Sequence, residues 1–193
     1  AIPFILIYPL AVALLYFYSK KFKKQTLTGN FTVAFFCAGV AGIILLMERN
    51  SFSQLSENAQ GIINSAFLAY AAFAYLSTIF REIVKDIEDM DGDKERGCKT
   101  FPITSSVSHA KFFAISHLMI LVGLVLFISL SFFQNAQILL GLYGILLLIA
   151  PSLFMILKLI KAENKKDYHF VSQMAKGVML FGLLFLPLYY VFS

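Results

Sequence analysis

An all-α bundle of helices that crosses a membrane several times is the fold this sequence predicts, on three observations. The 193 residues are 59% hydrophobic and only 14% charged, with a mean hydropathy of +0.78, whereas a soluble globular chain is about half apolar and a quarter charged. The apolar residues come in runs of about 20, the length a helix needs to cross the hydrocarbon core of a bilayer. All 16 basic residues except Arg49 fall on alternate connections between those runs, as happens when Lys and Arg collect on the cytoplasmic side.

The first run, 2–19, lacks a basic lead-in and is followed by further runs, so it reads as a spanning helix and not as a cleaved signal peptide. Runs 31–47, 61–80, 112–132, 136–157 and 177–192 bring the predicted transmembrane helices to six. The ten-residue alternating segments of a membrane β-barrel are absent. Lys20, Lys21, Lys23 and Lys24 follow the first run; Arg81, Lys85, Lys94, Arg96, Lys99 and Lys111 follow the third; Lys158, Lys161, Lys165, Lys166 and Lys176 follow the fifth. A missed or false span would scramble that split. Residues 1–193 are therefore expected to form a single multi-pass domain in the cytoplasmic (inner) membrane, with both ends outside. The longest connections, 81–111 and 158–176, make the cytoplasmic side the working face. The net charge of +5 reflects topology and membrane lipids, not nucleic acid, because no soluble domain presents the basic residues. Cys37, in mid-span, and Cys98, in a cytoplasmic connection, are expected as small packing residues without a disulfide.

Chemistry concentrates in REIVKDIEDMDGDKERG, residues 81–97, which carries seven of the eleven carboxylates directly after twenty uncharged residues. No Gly or Pro interrupts 77–90, so the third spanning helix is expected to continue beyond the membrane surface. Arg81, Lys85, Asp89 and Asp93 then recur every fourth residue and stay on one broad stripe, drifting about 40° per step. Asp86 flanks that stripe, and Gly92 is expected to loosen the last turn and swing Asp93 inward. Like charges one turn apart repel by a few tenths of a kcal/mol, which a hard divalent cation would offset. Mg²⁺ takes one or two carboxylates plus phosphate oxygens, and Arg81 and Lys85 would reach the same phosphates. The competing reading is a solvated face of loosely paired Glu and Lys. An EF-hand is excluded, since counting from Asp89 puts Lys94 at the glycine position and Thr100 at the final glutamate. A CDP-alcohol phosphotransferase is excluded because Asp91-Gly92 is followed by Asp-Lys-Glu-Arg. A divalent-cation transporter would need carboxylates near mid-span, and no span has one; a non-catalytic scaffold is the other non-enzyme reading. His109, His117 and His169 share no metal-ligand spacing.

The stretch R-E-I-V-K-D-I-E-D-M-D-G-D-K-E-R-G-C-K-T-F-P-I, residues 81–103, resembles the second aspartate-rich motif of the UbiA prenyltransferase superfamily. Arg81, Lys85, Asp89 and Asp93 match its spacing, and Gly97, Lys99, Thr100 and Pro102 match its trailing segment. Residues 18–30 are similar to the segment joining the family's fourth and fifth helices. The resemblance implies a nine-helix fold in which the six spans here correspond to helices 4–9. The family's first motif, N-x-x-x-D-x-x-x-D, is absent from these residues, so the chain is expected to be an N-terminally truncated piece that is inactive alone. The resemblance further implies Mg²⁺-dependent transfer of a polyprenyl group from polyprenyl diphosphate to a lipid-like or aromatic acceptor. Asp89 and Asp93, with Asp86, would hold Mg²⁺; Lys85, Arg81, Lys23 and Lys99 would bind diphosphate, the first two with catalytic roles. Arg81, where many members carry Tyr, is most similar to the branch that geranylgeranylates geranylgeranylglyceryl phosphate. Quinone-pathway and haem-farnesylating members are the alternatives.

Overall fold

The computed structural model describes Pro9, Val12, Ala13, Tyr16, Tyr18 and residues 25–192. Apart from those five positions, the predicted span 2–19 lies outside the described residues, as does Lys23. The described chain folds into α1 (Thr28–Met47), α2 (Arg49–Ser53), α3 (Glu57–Glu88), α4 (Met90–Glu95), α5 (Phe101–Thr104), α6 (Val107–Gln134), α7 (Ile138–Tyr143), a π-helical turn (Gly144–Ile149), α8 (Ala150–Lys161) and α9 (Lys165–Phe192), with no strand among the described residues. Five of these segments are long and apolar enough to cross a membrane: α1, α3, α6, the continuous stretch Ile138–Lys161, and α9.

Local chemistry sets where they start. The hydroxyl of Ser106, on extended backbone, accepts the His109 backbone N–H at 3.1 Å and so caps α6. A reciprocal box starts α9. Asn164 Oδ1 accepts the N–H groups of Lys166 and Asp167 at 3.0 and 3.2 Å, and Asp167 Oδ2 accepts the N–H of Asn164 at 3.3 Å. This cap overturns the expected long connection at 158–176. Helix α8 runs to Lys161 and α9 begins at Lys165, leaving a turn of 162–164. Lys111 Nζ donates to the Ala162 carbonyl at 2.6 Å and Tyr168 Oη donates to it at 3.1 Å, pinning that turn to α6. The π-helical turn ends two residues before Pro151. Proline cannot donate to the carbonyl four residues back, and its ring would collide with it in a regular helix, so the widened turn relieves the conflict.

Helix α3 is the centre of the bundle and packs against α1, α6 and α9. Ile79, Phe80, Ile83 and Val84 of α3 meet Ala110, Ala114 and Leu118 of α6 and Val171 of α9 in one buried cluster. The alanines at 110 and 114 leave a shallow face that lets the helix axes approach, the usual device where lipid supplies no hydrophobic drive for association. Outward faces carry exposed Phe35, Leu68, Phe112, Phe127, Leu146 and Tyr190. An apolar surface of that extent is a liability in water and the required surface in lipid. Cys37 lies on this exposed face of α1 and not in the packing expected for it; Cys98 is half-buried.

Among the described residues lie an apolar cavity and a polar one, each of about 570 Å³. The apolar one, between α3, α6 and α9, is lined on α3 by residues from 57 to 73. There Gly182 lets α9 approach the Phe73 ring so closely that any side chain at 182 would collide with it. Tyr70 Oη donates to the Gly182 carbonyl at 3.1 Å across the same contact. The other cavity is lined on α3 by residues from 82 to 86 and just past its end by Asp89, beyond the buried layer at 77–80.

Candidate functional site at the charged end of the central helix

The second cavity is an open cleft built around the end of α3. The helix continues past its apolar run to Glu88 as expected, but the interruption falls at Asp89 and not at Gly92. Asp89 leaves the helical region (φ −93°, ψ 2°), and α4 resumes at Met90. The ladder survives the break: Asp89 N–H bonds to the Lys85 carbonyl at 2.9 Å and Asp93 N–H to the Asp89 carbonyl at 3.0 Å. Lys85, Asp89 and Asp93 therefore keep their four-residue register, and all three line the cleft. Gly97 closes α4 with φ +68°, a left-handed conformation that glycine adopts without strain. Its N–H reaches the Lys94 carbonyl at 3.0 Å and the Cys98 N–H reaches Asp93 at 2.9 Å. These two bonds form a Schellman cap, which turns the chain back so that Cys98 and Thr100 form a wall of the cleft.

The carboxylates differ in their surroundings. Asp86 is half-buried, and its Oδ2 accepts a 2.8 Å hydrogen bond from Nδ2 of Asn30, in the first turn of α1. Asp89 Oδ2 pairs with Lys85 Nζ at 2.9 Å. Asp93 lines the cleft. Arg81 pairs with its neighbour Glu82, and it is Glu82, not Arg81, that faces the cleft. Lys99 is exposed and stands outside the cleft lining. His169 Nδ1 lies 2.8 Å from Glu88 Oε1, tying α9 to the end of α3. His117 bonds only within its own helix, to the Phe113 carbonyl at 2.9 Å.

Arg96, Asn30, Thr100 and Lys165 are among the cleft residues to which the sequence assigned no role at the site. Arg96 lies three residues past Asp93, off the four-residue step, which would have reached Gly97, so that periodicity does not find it. Asn30 and Lys165 arrive from other elements by tertiary packing, and no local spacing announces them; Thr100 belongs to the trailing segment of the 81–103 stretch. Three cations, Lys85, Arg96 and Lys165, thus face Glu82, Asp86, Asp89 and Asp93 across one space. Among the described residues, no three His, Cys, Asp or Glu side chains converge on a point that would hold a metal unaided. The donors are nonetheless hard carboxylate oxygens on a shared cleft. That set fits Mg²⁺, which completes its shell with phosphate oxygens and water instead of an all-protein cage.

Fold and cleft together define an integral membrane helical bundle with an aspartate-rich cleft at one end of its central helix. The chain belongs to the UbiA prenyltransferase family, whose profile matches residues 2–190. It is 31% identical over 172 residues to the digeranylgeranylglyceryl phosphate synthase of Methanobrevibacter smithii, an alignment covering 89% of this chain and 56% of the relative. The enzyme of that name from Methanocaldococcus jannaschii is 32% identical over 179 residues, covering 88% of this chain and 54% of the relative. A solved structure described as giving insight into digeranylgeranylglyceryl phosphate synthase in membranes superposes with a TM-score of 0.66 at 25% identity, covering 96% of this chain and 60% of that one. The chain thus spans about half the length of the curated relatives it matches.

Proposed function

We propose that this protein works as a prenyltransferase of ether-lipid synthesis, moving a geranylgeranyl group from its diphosphate to the free hydroxyl of geranylgeranylglyceryl phosphate. The observation that carries the proposal is the cleft, where Lys85, Asp89 and Asp93 share one register at the end of an apolar helix. Family membership and the names of the matched relatives support it. The reaction breaks the C–O bond between the prenyl carbon and its diphosphate, forms a C–O bond to the acceptor hydroxyl, and releases that hydroxyl's proton.

The roles follow from the chemistry of the residues. Lys85, Arg96 and Lys165 place positive charge around the phosphate oxygens, whose charge grows as the bond to carbon breaks, and fixed charges there lower the barrier without reorganising. Asp89 and Asp93 would hold Mg²⁺, with Asp86 fixed behind them by Asn30. When bound, that ion supplies further electrostatic stabilisation of the leaving diphosphate. Lys85 also pairs with Asp89, which holds its ammonium at the cleft. The apolar helix faces below the cleft are the surroundings a prenyl chain requires. The charge split between the connections supports a cytoplasmic position for the cleft.

The test is transfer of label from geranylgeranyl diphosphate in membranes containing the intact protein, with geranylgeranylglyceryl phosphate, aromatic quinone precursors and haem as competing acceptors. The proposal expects magnesium-dependent labelling of the glyceryl phosphate acceptor. Labelling of another acceptor alone would replace the substrate assignment, and no transfer to any of them would remove the prenyltransferase reading.

A further inference from the structure

Lys165, His169 and Gln173 recur every fourth residue along the first turns of α9. At that spacing they share one face of the helix, and the contacts of each show where the face points. Lys165 lines the cleft. His169 Nδ1 lies 2.8 Å from Oε1 of Glu88, the last residue of α3, and Gln173 Nε2 lies 3.4 Å from His169 Nε2. A carboxylate can only accept, so Nδ1 carries a proton, and the Gln173 amide donates to Nε2 of the neutral ring. The Glu88 side chain is only 10% exposed, so without His169 its carboxylate would lose a partner that water cannot fully replace. The pairs Arg81–Glu82 and Lys85–Asp89 lie within one stretch of chain, whereas the His169–Glu88 contact joins two helices.

We infer that His169 is a positioning residue: its bond to Glu88 fixes how α9 is turned against α3 and so holds the Lys165 ammonium at the cleft. The inference rests on the proposed reading of the cleft as a phosphate site and gives a role there to a helix outside the aspartate-rich stretch. Elsewhere α9 meets α3 through apolar contacts, Val171 in the buried cluster and Gly182 against the Phe73 ring. Apolar contact is non-directional, and the Tyr70 bond to the Gly182 carbonyl lies far along the helix from Lys165. A hydrogen bond to a carboxylate demands a short distance and a near-linear angle, so it sets the rotation that apolar packing leaves loose. Glu88 adjoins Asp89, where α3 ends. The contact therefore ties the side of the cleft that brings Lys165 to the side that brings Lys85 and Asp89. One turn separates His169 from Lys165, so a rotation of α9 released at 169 carries the lysine with it.

The experiment measures binding of inorganic pyrophosphate with Mg²⁺ to the intact protein in detergent, with thermal stability alongside. The His169 side chain is 57% exposed, so truncating it opens no cavity and the variant should fold. Lys165→Met should weaken binding about tenfold, the loss expected for a hydrogen bond between charged groups. His169→Ala should weaken it about threefold or more, and adding it to Lys165→Met should weaken binding by less than about twofold further, because the histidine acts through that lysine. Added to Lys85→Met, His169→Ala should keep its full effect of about threefold or more. Asparagine places Nδ2 where Nδ1 of the imidazole stood, so His169→Asn should bind within about twofold of wild type on the same scale. Unchanged binding in Lys165→Met or in His169→Ala, whatever the thermal midpoint does, overturns the inference. So does an equal loss in His169→Asn and His169→Ala, or a loss that multiplies in the Lys165→Met double variant. Wild type that binds no pyrophosphate would remove the phosphate reading of the cleft, and the inference with it. Because the probe reports binding without turnover, these failures are distinguishable from a failure of the prenyl-transfer proposal.

Discussion

Lys85 and Asp89 lie 2.9 Å apart with 43% and 42% of their side chains exposed. A solvent-exposed pair four residues apart on a helix contributes about 0.3–0.5 kcal/mol, too little for the bridge to be there for stability. Lys85→Met should therefore move the thermal midpoint in detergent by less than about 2 °C. In a transfer assay it should raise the KM for geranylgeranyl diphosphate at least tenfold; a large drop in midpoint with an unchanged KM would make the pair structural. At this scale the sequence was partly legible. The spacing of Lys85, Asp89 and Asp93 put them on one stripe with Asp86 on its flank, and the helical register carries all four to one cleft. The same spacing placed Arg81 among them, yet its guanidinium pairs with Glu82. Register determines where a Cα sits on the helix surface, and the neighbouring charges then decide where a long side chain goes. Asn30, 56 residues from Asp86 in sequence, had no local signal because α1 and α3 meet only through packing.

Helix boundaries were harder to read than helix existence. Hydropathy finds the stretch that must be in lipid, and it placed the third and last spans at 61–80 and 177–192. The helices run over Glu57–Glu88 and Lys165–Phe192, because hydrogen-bonded backbone continues into polar sequence until a cap stops it. Some of the signals were present as capping chemistry: the N-x-x-D at 164–167 starts α9, and the glycine at 97 closes α4 beyond the end of α3. Gly97 gives the sharpest prediction at this scale. A Cβ at φ +68° costs about 1–2 kcal/mol, so Gly97→Ala should lower the thermal midpoint by roughly 2–8 °C for a chain of this size. Gly97→Asn, which tolerates the left-handed region, should lose less; equal losses in the two variants would show that space and not backbone conformation decides the position.

Over the whole molecule, the apolar runs and the charge split were enough for the architecture, because lipid leaves a spanning chain few alternatives to the helix. They did not reveal that α3 is the hub packed by three other helices, nor that the apolar cavity lies on the other side of the buried layer from the cleft. Those features depend on which faces meet, and near-uniformly apolar helices do not encode that in periodicity. The sidedness of the molecule is tested by labelling with a membrane-impermeant thiol reagent: a cysteine replacing Glu57 should react from outside and Cys98 only from the cytoplasm, and the reverse pattern would invert the topology. Function at this scale depends on the stripe at the end of α3 holding the substrate's diphosphate. Turnover of geranylgeranyl diphosphate by the intact protein carrying Asp89→Asn or Asp93→Asn measures it most directly. The account predicts at least a hundredfold loss for each variant at saturating Mg²⁺, on the scale of removing an electrostatic catalytic group; rates equal to wild type in both would contradict it.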